Sequence, residues 1–102
     1  MLLPKYRPPT HAGEMLLKEF LEPLGLTQQA LANHLGWTFA RVNELVHGKR
    51  GVTAETALAL SEALGTKPEF WLNLHDNFEL WKAQKKHRKV EIMQAVRQHV
   101  HA

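Results

Sequence analysis

The run from Leu26 to Thr53, LTQQALANHLGWTFARVNELVHGKRGVT, constrains the fold of this chain more than any other stretch. It carries the start and stop signals of two short helices joined by a tight turn. Thr27 and Thr38 each precede a helical run, where a threonine oxygen accepts hydrogen bonds from first-turn amides that lack partners. Gly36 follows the last apolar residue of the first run, the position where a left-handed backbone ends a helix and a residue without Cβ adopts it cheaply. Leu31 and Leu35 line one side of the first helix, and Val42, Leu45 and Val46 line the inner side of the second. Ala32 is small where the two helices cross, so they can approach closely. The opposite face of the second helix carries Thr38, Phe39, Arg41 and Glu44, with Lys49 and Arg50 just beyond its end. In a helix-turn-helix this second helix enters the DNA major groove with its N-terminal residues at the base edges.

The rest of the chain supplies helices to hold that pair. Thr10 is placed to cap a first helix from about Ala12 to Glu22, with Leu16 and Phe20, and Leu17 and Leu21, spaced four apart, and Pro23 ending it. No role follows for His11. Thr53 is placed to cap a structural helix from Ala54 to Leu64, ended by Gly65. Pro68 suits the first turn of a fifth helix. Phe70, Trp71, Leu74, Phe78 and Trp81 crowd that helix, more aromatic surface than a small core needs. Because Trp and Phe anchor subunit contacts, these five residues are read as a two-fold dimer surface. The reading is therefore all-α: a five-helix domain over residues 10–83, preceded by a basic arm (1–9) and followed by a basic, helical C-terminal extension (84–102).

Charge is unevenly placed along the 102 residues. Lys and Arg against Asp and Glu give +2 over residues 1–18 (three against one), −4 over 19–80 (four against eight) and +5 over 81–102 (six against one). A chain acidic through its middle does not bind nucleic acid by bulk charge, so shape and a few local cations must place any duplex. No apolar run approaches the ~20 residues that cross a bilayer, and no secretion signal opens the chain, so the cytoplasm is expected and no membrane partner. There are no cysteines, and His99 and His101 lack a third donor, so neither a metal site nor another cofactor is expected. No nucleophile stands beside a base and no glycine-rich phosphate loop is present, so catalysis is not expected.

The segments HAGE (11–14), FLEPLGL (20–26), NELVHGKRGVTAETAL (43–58) and LGTKPEFWLNL (64–74) resemble the HigA group of antitoxins, in the XRE family of phage-repressor-like helix-turn-helix proteins. The resemblance covers about residues 7–83. It implies a homodimer that binds a palindromic operator in double-stranded DNA, represses its own operon, and neutralises a cognate ribonuclease toxin resembling the RelE type. It also implies that Gln28 bonds a phosphate, that Thr38, Phe39, Ala40, Arg41 and Glu44 face the groove, and that Asn43, Lys49 and Arg50 lie near the backbone. Relatives usually carry polar residues where this chain has Phe39 and Ala40. Apolar side chains there suit a thymine methyl, unless Phe39 folds back onto Trp37. Arg41 is then the candidate for a guanine edge or a phosphate. A stand-alone repressor without a toxin shares every one of these features, and sequence-independent RNA binding through the basic tail is a third alternative.

Overall fold

The computed structural model describes residues 8–99, which hold helices and no strands among them. α1 (Ala12–Met15) continues directly into a π-helical stretch, Leu16–Leu21. His11, not Thr10, caps α1: its Nδ1 accepts the Glu14 amide at 3.2 Å. The π-helical stretch also departs from the α-helical expectation. Its bonds span five residues, as in Glu22 N–H to Leu17 O at 3.0 Å. This wider turn aligns Leu16 with Leu21, both 1% exposed, in place of the spacing of four.

α2 (Gln28–Leu35) and α3 (Phe39–Val46) form where the capping residues place them. Thr27 Oγ1 accepts the Ala30 amide at 3.0 Å and Thr38 Oγ1 the Arg41 amide at 3.1 Å. Gly36 takes φ 72°, and Trp37 N–H closes onto Ala32 O at 2.8 Å, which satisfies an end carbonyl and turns the chain. Ala32 is fully buried in the crossing. α1 meets α3 through Gly13, where an added Cβ would collide with the Leu45 carbonyl and lie 2.8 Å from Val46 O. The glycine of HAGE is thus a packing residue that lets backbone touch backbone.

α4 (Ala54–Leu64), capped by Thr53 Oγ1 on the Thr56 amide at 3.2 Å, packs against α5 (Pro68–Lys86). Leu16, Leu21, Leu31, Val42, Leu45, Ala57, Leu60 and Trp71 make the core. Trp71 is its largest member and is fully buried, with its indole N–H donating to Thr66 Oγ1 at 2.7 Å. This corrects the reading of Trp71 as a dimer anchor, because α5 turns that ring inward between Phe20 and Phe70, whose centroids lie 5.3 and 5.0 Å away.

Beyond the core α5 keeps going, past the expected domain end at residue 83. Residues 87–93 have no helix, and α6 (Gln94–His99) buries no residue. Extents of 56 × 26 × 21 Å and a radius of gyration of 17.5 Å, against about 13 Å for a compact chain of this length, reflect that projecting end. Residues 1–7 of the expected arm and 100–102 of the expected extension lie outside the described residues. No described helix is long and apolar enough to cross a membrane.

Candidate nucleic-acid interface

α3 turns Val42, Leu45 and Val46 inward, which leaves its other side on the surface. Thr38, Phe39 and Ala40 open that side, all exposed, with Phe39 at 46%. Phe39 does not fold back onto Trp37, because Arg41 occupies that place. The guanidinium carbon sits 3.7 Å from the Trp37 ring centroid, and Nη2 donates to Thr56 Oγ1 at 3.4 Å and lies 4.0 Å from Glu55 Oε1. Arg41 Nε is buried and has no partner among the described residues. Stacking on the indole face holds the cation in place. Arg41, the sequence's candidate for a guanine edge or a phosphate, is thus fastened between the turn and the start of α4.

The neighbouring polar residues are likewise engaged. Asn43 Nδ2 donates to Gln28 Oε1 at 3.0 Å, tying the outer edges of α2 and α3. Arg50 gives Glu44 Oε1 two charge-assisted bonds, from Nε at 3.0 Å and Nη2 at 2.8 Å, so the acid on the outer face is locally neutralised. Lys49 is exposed, and its backbone N–H returns to Glu44 O at 2.8 Å. Of the residues singled out in sequence, the fold therefore gathers Gln28 with Asn43 and Glu44 with Arg50. It leaves Thr38, Phe39, Ala40 and Lys49 at the surface.

The other group of candidates lies along α5. Phe70 is 36% exposed and Leu74 is half-buried against the core. Phe78 and Trp81 stack at 6.0 Å between centroids, with Lys82 and Lys85 ammonium groups 5.3 and 4.3 Å from the Phe78 and Trp81 rings. The His11 and Phe78 rings meet in a T-shaped arrangement, 5.3 Å between centroids. Glu79, exposed beside this stack, has its carboxyl held below the usual carboxylate value first by the hydrogen bond from Lys82; desolvation opposes this, and the Lys82 and His75 charges lower it further.

Sequence reasoning missed Trp37, Glu55 and Thr56 as the seat of Arg41, and missed His11 as a cap. A signal existed for His11, since its ring nitrogen can accept the amide three residues on as an N-cap oxygen does. None existed for Thr56, fifteen residues from Arg41, whose approach depends on how α4 docks. Among the described residues no cluster of three or more His, Asp or Glu could hold a metal ion.

A helix pair crossing on a small residue, a tight glycine turn and an uncovered outer face on the second helix define a helix-turn-helix protein. Residues 17–71 match the helix-turn-helix family. Antitoxin HigA-1 of Vibrio cholerae serotype O1 is 44% identical over 84 residues, covering 81% of this chain and 78% of that protein. The solved structure of antitoxin GraA superimposes with a TM-score of 0.79 at 39% identity, over 85% of this chain and 99% of that one. Antitoxin HigA of Pseudomonas aeruginosa with the higBA promoter gives 0.76 at 31% identity, over 83% and 98%. The chain belongs to the helix-turn-helix family, within its group of HigA-type antitoxins.

Proposed function

We propose that this chain is the antitoxin of a toxin–antitoxin pair: a dimer that represses its own operon from a palindromic operator and neutralises a RelE-like, messenger-RNA-cleaving ribonuclease. The carrying observation is the open start of α3, where Thr38, Phe39 and Ala40 stand clear of the rest of the subunit. In this reading Phe39 and Ala40 meet a thymine methyl in each half-site, since neither offers a hydrogen bond to a base edge. Arg41 reaches a backbone phosphate from its seat on Trp37, while Gln28, Asn43, Glu44, Lys49 and Arg50 fix the docking. The solved HigA relative, described with promoter DNA, supports the DNA half of the reading. The antitoxin names of the relatives support the toxin half, as does a chain that is net acidic over residues 19–80 facing a basic nuclease.

Phe78 and Trp81, with Phe70 and Leu74 at the margin, serve as the seam between two copies, because their stacked rings lie outside the core that holds Trp71. Binding DNA and a toxin by stoichiometric contact requires no catalytic group, and the cytoplasm is where both partners are met.

Footprinting on the DNA directly upstream of the gene tests the reading. Two protected half-sites about 34 Å apart, centre to centre, support it, with a thymine whose replacement by uracil weakens wild-type binding and not that of Phe39→Ser. No protection of upstream DNA overturns the repressor assignment. Co-expression with the product of the neighbouring frame decides the toxin: a stable complex that rescues growth is expected, and the absence of both leaves the stand-alone repressor.

A further inference from the structure

Beside the recognition helix, the loop at residues 48–51 faces α5 and the start of α1 across a cleft of about 240 Å³. Its chemistry is cationic. Lys49, Arg50 and Lys82 line it against one carboxylate, Glu79, and the His11 and His75 imidazoles complete its walls. Glu79 is bonded to Lys82 at 2.7 Å and Arg50 to Glu44, whereas the Lys49 ammonium has no ion pair or hydrogen bond among the described residues.

The backbone fixes the role of one ring and the place of the other. His11 Nδ1 accepts the Glu14 amide, so the ring proton sits on Nε2, 3.6 Å from where a Cβ on Gly48 would lie. His75 presses on the loop so closely that a Cβ on Gly51 would be 2.8 Å from its Cε1 and 3.1 Å from Nε2. The His11 donor, the His75 imidazole and an unpaired ammonium converge from three segments of chain, which suits a tetrahedral oxyanion more than a planar apolar ligand. The cleft also starts where α3 ends, the place past which one strand of a duplex runs when α3 occupies its major groove.

We propose that this cleft is a phosphate site in which His11, Lys49, His75 and Lys82 together grip one backbone phosphate of the bound duplex. The proposal rests on the DNA-binding reading above and adds a contact remote from the base-facing residues. It makes the α1 cap and α5 part of the DNA surface and locks the orientation of α3 through the body of the domain. Because a phosphate carries no base identity, its effect is the same on every sequence.

The test uses the full chain, a duplex from upstream of the gene, a random duplex, and inorganic phosphate. Lys49→Gln removes the free charge at an exposed position. His11→Asn keeps an oxygen to cap the Glu14 amide while deleting the Nε2 donor, and circular dichroism verifies that both variants fold. Lys49→Gln is expected to reduce the slope of log affinity against log salt by about 1. His11→Asn is expected to weaken both duplexes by one common factor, about five-fold, the size of one hydrogen bond. Imidazole NMR signals of His11 and His75 should move when wild type binds either duplex. Unchanged slope and affinity, with signals unmoved by DNA, overturn the cleft while leaving DNA binding intact. Signals that move with inorganic phosphate alone, and not with DNA, overturn the duplex as occupant. Wild type that binds neither duplex overturns both the cleft and the reading beneath it.

Discussion

The two ends of α5 are alike in sequence and opposite in position. Trp71 is fully buried, its N–H satisfied by Thr66 and its ring wedged between Phe20 and Phe70. Trp81 lies past the core, stacked on Phe78 and overlain by Lys85. What separates them is what stands opposite. α4 packs along α5 and Phe20 meets Phe70 and Trp71 in its first turn, while its last turns leave the body. One aromatic run thus does two jobs, filling a core and presenting a surface.

The sharpest way to break this contrast is to truncate each ring. Trp71→Ala is expected to cost about 3–5 kcal/mol in denaturant unfolding, and Trp81→Ala no more than about 0.5 kcal/mol under monomeric conditions. Equal losses would show that the two halves are not distinct. Next in size, Trp81→Glu is expected to yield folded monomers in sedimentation and to lower operator affinity about a hundred-fold, because two linked recognition helices bind far more tightly than one. A monomer with undiminished affinity would remove the seam from the DNA-binding account.

How much of this was legible beforehand follows the same division. Thr27, Thr38, Thr53 and Gly36 act on amides and carbonyls within a few residues of themselves, so α2, α3 and the start of α4 follow from local chemistry, as does Ala32 in the crossing. The inward turn of Trp71 does not, because Trp71 shares one side of the helix with Leu74, Phe78 and Trp81, and only the docked α4 decides how much of that side is covered. The same holds for Arg41. Its stack on Trp37 is local, but its bond to Thr56 exists only once α4 is placed. Thr10 was the expected cap of α1, but the helix starts at Ala12, so the residue directly before it, His11, takes that place.

Smaller changes refine the contrast. Thr66→Val leaves a buried indole N–H without an acceptor and is expected to cost about 1–3 kcal/mol. Lys85→Ala removes only an exposed cation–π contact, about 0.5 kcal/mol in the same unfolding measurement. Glu79 gives the smallest effect. Its carboxyl is held low in the folded chain, so its contribution is present above the ordinary carboxylate range and lost as pH falls through and below that range. Melting curves of wild type and Glu79→Gln should therefore differ slightly near neutrality and converge in acid, and salt should shrink the difference because the group is exposed.

The most direct measurement is sedimentation of the full chain with a fluorescent duplex from upstream of its gene. The account predicts two chains per duplex, bound together with a steep isotherm, with Trp81→Glu shifting the onset to far higher concentration. One chain per duplex with a simple hyperbolic isotherm, or no complex at all, would contradict it.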